Sequence, residues 1–224
     1  MDSILLGLIV LLGIAVGAGL NYLGDWLPQQ RDIEMPIGWR RLRVWLVIIL
    51  SALTSAWLWL NPHEDLGFWA ALLLLAYFGL IVIIDMEHKL ILYPTVWFGL
   101  VLGASYGIYL RGWLTTLLGG LAGFGIMLLL YFFGDFVARR LARVRNEELD
   151  EVALGFGDVN LAAIIGLLLG WPGILAGLVL AIFAGGAISI LYVIFTYLLG
   201  RYQVFVALPY GPYLVFGAVV LLFF

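Results

Sequence analysis

Two aspartates stand where an apolar chain places charge only at a cost. Asp85 closes the apolar run 70–84, and Asp158 ends the phrase Gly155-Phe156-Gly157-Asp158 just ahead of another apolar run. An ionisable side chain at a membrane-spanning segment is expensive and marks a functional site by default. Two carboxylic acids brought together in a partly dry site share a proton, because neighbouring like charges resist ionising together. Such a pair can activate a water while donating to a carbonyl oxygen, which is the chemistry of peptide-bond hydrolysis. Gly155 and Gly157 suit that chemistry, since a backbone without side chains lets an extended strand come close to the carboxylate. The competing structural reading makes Asp158 the N-cap of a helix and Asp85 a helix-end carboxylate among lipid headgroups.

The elements that position these residues are membrane helices. Hydrophobic residues make up 65% of the 224 and charged residues 11%, and mean hydropathy is +1.13, far from soluble-domain averages. Backbone polar groups in lipid must be satisfied within the chain, so the long apolar runs predict an all-α, polytopic membrane protein. Eight apolar segments can be drawn, at 4–23, 44–60, 66–84, 95–110, 114–134, 159–170, 173–199 and 204–223. The sixth is short for a span of ~20 residues, and the seventh is long enough to tilt. Pro28, Pro62, Pro94, Pro172, Pro209 and Pro212 fall at or near the breaks. The first segment follows Met1-Asp2-Ser3 without a basic residue and is too long for a signal-peptide core, so it reads as a retained helix. Residues 1–224 are expected to form one membrane-embedded domain, with cytoplasmic loops at 29–43 and 135–155.

Basic residues orient the bundle. The loops after the first, third, fifth and seventh segments hold Arg31, Arg40, Arg41, Arg43, Lys89, Arg139, Arg140, Arg143, Arg145 and Arg201. The opposite side holds only Arg111. Ten against one predicts external termini and cytoplasmic odd-numbered loops. Asp85, ending the third segment, and Asp158, opening the sixth, then fall at one cytoplasmic level, although neither entered the count.

Cysteine is absent, which excludes disulfides and thiolate metal sites, and His63 and His88 are the only histidines, so no structural zinc site is expected. His63 beside Glu64 and Asp65 gives only a weak metal suggestion. No nucleotide-binding fingerprint is present and no nucleic-acid partner is expected. Glycines at four-residue spacing, Gly13 and Gly17, Gly99, Gly103 and Gly107, and Gly119 and Gly123, predict close helix packing rather than chemistry. The polar stretch 139–151 reads as a solvated loop or an extension of the fifth helix.

Four phrases together carry a family resemblance. They are Gly19-Leu20-Asn21 with Trp26-Leu27-Pro28, Ile84-Asp85-Met86-Glu87-His88-Lys89-Leu90-Ile91, Ala153-Leu154-Gly155-Phe156-Gly157-Asp158-Val159-Asn160-Leu161, and Leu208-Pro209-Tyr210-Gly211-Pro212-Tyr213. In that order and within eight helices, the chain resembles a type IV prepilin peptidase, a bacterial GxGD-type intramembrane aspartyl protease. The resemblance implies that Asp85 and Asp158 are the catalytic pair. It implies supporting roles around them for Gly155, Gly157, Asn160, Pro209, Tyr210, Gly211 and Pro212. It further implies a prepilin or pseudopilin substrate cut at the cytoplasmic face of the bacterial inner membrane, with no metal and no cofactor for the proteolysis.

The chain departs from the family in two places. Many relatives carry a cysteine-containing cytoplasmic insert between the first two helices, where this chain has only 29–43. Fuller relatives also methylate the new pilin N-terminus with S-adenosylmethionine. The missing insert puts methyl transfer and its cofactor in doubt and does not touch the aspartate pair. Asn160 stands where many relatives have lysine; it can hydrogen-bond but supplies no charge. Glu87 reads as a solvated interfacial carboxylate, with the substrate's basic leader as a second partner, and Asn21 as a helix-to-helix hydrogen bonder, with substrate second. Arg40, Arg41 and Arg43 read as headgroup anchors. The rival functions are a non-catalytic pilus-assembly scaffold and a proton- or cation-coupled transporter; the latter would place its acids near the bilayer midplane.

Overall fold

Each of the eight apolar segments contains a helix. The computed structural model describes residues 2–31, 33, 40–145, 155–200 and 209–224. Among them are α1 (Asp2–Gln29), α2 (Arg40–Leu60), α3 (Gly67–His88), α4 (Tyr93–Arg111), α5 (Trp113–Arg145), α6 (Phe156–Leu169), α7 (Gly173–Leu198) and α8 (Gly211–Phe223), and no strand. Among the described residues, five stretches are long and apolar enough to cross a membrane: Ile4–Gln29, Arg40–Leu60, Gly67–His88, Trp113–Val137 and Gly173–Leu198. With 14 and 13 residues, α6 and α8 are about 20 Å long, short of the ~30 Å hydrocarbon core.

Several helices run past the ends of their apolar segments. Hydropathy marks the part of a helix that lipid can cover, whereas arginine and glutamate are themselves good helix formers. Of the two readings of 139–151, the extension of the fifth helix holds as far as Arg145, where α5 ends, so the loop drawn from 135 is corrected over 135–145; 146–154 lie outside the described residues. Of the loop drawn over 29–43, Gln29 belongs to α1 and Arg40 to Arg43 form the first turn of α2, while 32 and 34–39 lie outside the described residues. Pro28 sits inside the last turn of α1. Pro94 lies in the first turn of α4, where a missing N–H costs nothing.

The chain divides into two compact units, Met1–Glu87 and His88–Phe224. In the first, α1 lies along α2. A Cβ on Gly13 would come within 2.7 Å of Ala52 Cα, and one on Gly17 within 2.8 Å of Ile48 Cα. The spacing of small residues is thus what lets the two backbones meet. α3 is the most buried of the three, with Ala71, Leu74, Phe78, Ile81 and Ile84 nearly inaccessible.

The second unit is built around α6, which touches α4, α5, α7 and α8. Val159, Leu161, Ala162, Ile164, Ile165, Leu168 and Leu169 are all buried, so α6 is apolar on every side, as a central helix must be. Its shortness is tolerable because protein surrounds it. Gly119 of α5 and Gly166 of α6 face each other so closely that a Cβ on either would collide with the other's carbonyl oxygen. At the far end of α6, Arg111 Nε donates to the Leu168 carbonyl at 3.1 Å and ties α4 to it.

Candidate active site

The first turn of α6 places Asp158. Gly155 is the N-cap, with extended backbone (φ −79°, ψ 148°), and the helix begins at Phe156. Asp158 is therefore the third helical residue and not the cap, which corrects the helix-cap reading. Its Oδ2 accepts the Gly155 N–H at 3.1 Å, while its own N–H donates to the Gly155 carbonyl at 3.1 Å. This is half of a capping box, since glycine has no side chain to return the bond. A carboxylate in a first helical turn also meets the positive end of the helix dipole. The residue is only 8% exposed, so the acid is ordered before any ligand arrives.

Gly157 is not open to a second chain, as the sequence alone had suggested. A Cβ there would lie 2.8 Å from Ile91 Cβ and 3.3 Å from Ile91 N. Ile91, in the connection entering α4, already occupies the space that the missing side chain leaves. Gly155 is exposed, and a Cβ on it would make only an ordinary 3.5 Å contact with Asp158 Oδ2. Of the two glycines, Gly155 keeps the approachable backbone. Phe156 sets its ring edge-on to Tyr131 of α5, centroids 6.0 Å apart, and Asn160 lies half-buried farther along α6.

The closing signature forms the entry to α8. Tyr210 is the N-cap, and Gly211 and Pro212 open the helix, where proline's fixed φ suits the first turn. The Tyr210 carbonyl accepts the Tyr213 N–H at 3.1 Å, and the two rings meet edge-on at 6.1 Å. Pro209 precedes the turn, and Gly211 is buried. Burial, and then the negative charge of Asp158, hold the Tyr210 phenol above its ordinary range.

In the first unit, Asp85 lies in the last turn of α3 and is 3% exposed. Glu87, two residues on, is not solvated. Its Oε2 receives Arg43 Nη1 at 2.5 Å, with side-chain exposures of 1% and 2%. Arg43 Nη2 reaches Asp25 Oδ1 at 2.6 Å, and Arg40 Nη2 reaches Asp25 Oδ2 at 2.5 Å. The headgroup-anchor reading of Arg43 is thereby corrected. Asn21 is buried in α1, donating from Nδ2 to the Gly17 carbonyl at 3.0 Å and to the Val44 carbonyl of α2 at 3.3 Å. Both residues given a possible substrate role are thus engaged inside the chain. His63 Nδ1 accepts the N–H groups of Asp65 and Leu66 at 3.2 and 3.3 Å, shaping the turn into α3. Among the described residues no three His, Asp or Glu side chains are grouped to hold a metal ion.

The model of the type IV leader peptidase family matches residues 72–190, more than half of the 224. The chain belongs to that family. No curated protein and no solved structure matches it. The stretch that matches the leader peptidases runs from α3 into α7. It contains Asp85 and the Gly155-to-Asp158 turn, while Asn21 and the residues around Tyr210 fall outside it. Asp25 went unremarked in the sequence, although an acid one turn from the end of an apolar helix, followed by Arg40 and Arg43, was a signal for pairing.

Proposed function

We propose that this leader peptidase is an aspartic endopeptidase that removes the leader of a type IV prepilin or pseudopilin at the cytoplasmic face of the bacterial inner membrane, using Asp85 and Asp158. The observation that carries the reading is that each acid is buried and sits in a terminal turn of its helix. Terminal turns suit a scissile bond lying just before a hydrophobic substrate helix, and disfavour a midplane ion site of the transporter kind. The charge count assigns those two helix ends to the cytoplasmic side.

In the proposed reaction one ionised carboxylate takes a proton from water as its oxygen attacks the scissile carbonyl carbon. The other, protonated, acid donates to the carbonyl oxygen, giving a neutral tetrahedral diol. In the collapse the C–N bond breaks, the acid that took a proton from water gives it to the amine nitrogen, and a diol hydroxyl returns a proton to the other carboxylate, so the acid and amine products leave and the pair again holds one proton. The pair titrates as a unit, so the two roles belong to it jointly. The Gly155 N–H on Asp158 Oδ2 holds that carboxylate in one orientation through the cycle. Tyr210, Gly211 and Pro212 open α8 in the same unit, and Asn160 supplies a neutral polar side chain where many relatives carry a lysine. The reaction uses no metal or cofactor, and methyl transfer by S-adenosylmethionine is not part of the proposal.

The test is processing of a co-expressed prepilin by the wild type, Asp85→Asn and Asp158→Asn. Each variant should accumulate in the membrane and leave the prepilin uncut. Normal processing by either would remove the pair from the mechanism, and an inactive wild type against a panel of pilins would favour the scaffold.

A further inference from the structure

The three helix ends of the first unit are joined by charge. Asp25 lies one turn from the end of α1, Arg43 in the first turn of α2, and Glu87 next to the last residue of α3. Arg43 bridges both acids at 2.5 and 2.6 Å, and its side chain is 2% exposed. Arg40, half-exposed, adds a second cation to Asp25, so each of the two acids meets at least one guanidinium group.

Such a network is costly to bury and is a poor choice if cohesion were all it supplied, because apolar residues of similar volume hold helices together as well or better. What charge adds is direction. A guanidinium donates to carboxylates only along its N–H axes, so the pair fixes where Glu87 can lie. Ile83, one turn before Glu87 on the same face of α3, fills the gap at Gly24, where a Cβ would meet its Cγ2 at 2.9 Å. Ile83 and Glu87 together present one face of α3 to α1 and α2. Asp85 is two residues from each, about 200° around the helix, and so points away from that face.

We infer that the Asp25–Arg43–Glu87 network sets the rotation of the last turn of α3, and so the direction of the Asp85 carboxylate, which makes Arg43 and Glu87 positioning residues. The rotation stands on the geometry alone; its consequence for hydrolysis rests on the function proposed above.

The absence of cysteine makes the rotation measurable. Single cysteines are placed at Ile84, which is 1% exposed, and at Met86, which is 46% exposed, and their maleimide labelling rates are compared. With the network intact, position 86 reacts at least about tenfold faster than 84, the ratio expected between an open site and one needing local unfolding. Glu87→Gln should collapse the contrast. So should the charge-free pair Arg43→Met with Glu87→Met, which keeps the fold if the single variant does not. An unchanged contrast in the charge-free pair overturns the inference whatever the protein cleaves.

The second readout is prepilin cleavage by the same variants. The charge-free pair should lower kcat about tenfold with KM unchanged, since misdirection of a reacting group affects turnover rather than binding. A collapsed contrast with wild-type kcat overturns the positioning role. A collapsed contrast with no cleavage by the wild type leaves the network's action on α3 standing and sinks the peptidase reading instead.

Discussion

Ile91 packs directly on Gly157, its Cβ 2.8 Å from where a Cβ of residue 157 would stand. Both atoms in that contact are anchored to backbone, so neither can swing aside. Gly157→Ala should therefore force the connection entering α4 away from α6, costing about 1–3 kcal/mol. Thermal unfolding in detergent gives the loss. Ile91→Gly, which removes the opposing Cβ, should recover part of it, so that the double variant is less destabilised than the two single changes added together. Strict additivity would mean that the contact does not constrain the turn.

Gly155 should behave differently. Its backbone (φ −79°, ψ 148°) is open to any L residue, and an added Cβ meets nothing closer than 3.5 Å. On the proposed function, Gly155→Ala should leave the unfolding midpoint where it is and lower prepilin cleavage, because the exposed backbone beside Asp158 offers an approach for a substrate strand. A variant with unchanged stability and unchanged cleavage would show that the substrate comes from elsewhere.

The sequence made the helices legible because lipid demands long apolar runs, and it made Asp85 and Asp158 conspicuous because those runs make charge stand out. It misjudged helix ends, since α5 carries its helix on through Asp135 and Arg139, paired at 2.9 Å, where hydropathy has already fallen. Gly157 read as room for a partner, because nothing local reveals that Ile91, 66 positions earlier, fills the space. The network escaped for the same reason. Arg43 is 18 residues from Asp25 and 44 from Glu87, and each residue looks like an ordinary interfacial charge when read alone.

The Tyr210 phenol gives a spectroscopic gauge of Asp158. Burial first, and the Asp158 charge second, raise its pKa. Asp158→Asn removes only the second cause, so Tyr210 should release its proton at lower pH in that variant. The sign follows because a neighbouring anion disfavours phenolate. Phenolate absorbance, followed in wild type and Asp158→Asn and again with Tyr210→Phe in both, isolates the one residue. If the titration difference persists without Tyr210, the Asp158 charge is acting on another tyrosine.

Orientation in the membrane can be decided separately from catalysis. Ten of the eleven Lys and Arg residues lie on the side assigned to the cytoplasm, with Arg111 alone opposite. Short loops obey that bias because translocating each cation is unfavourable. Among the ten, Arg43 is buried in an ion network and so is not free to act as a headgroup anchor in the folded protein. Nine against one still favours the same orientation. A topology reporter fused after Phe224 should report an external C-terminus, and one inserted at residue 150 a cytoplasmic loop. The opposite pair of signals would move both acid-bearing helix ends to the external side, where a leader held in the cytoplasm could not reach them.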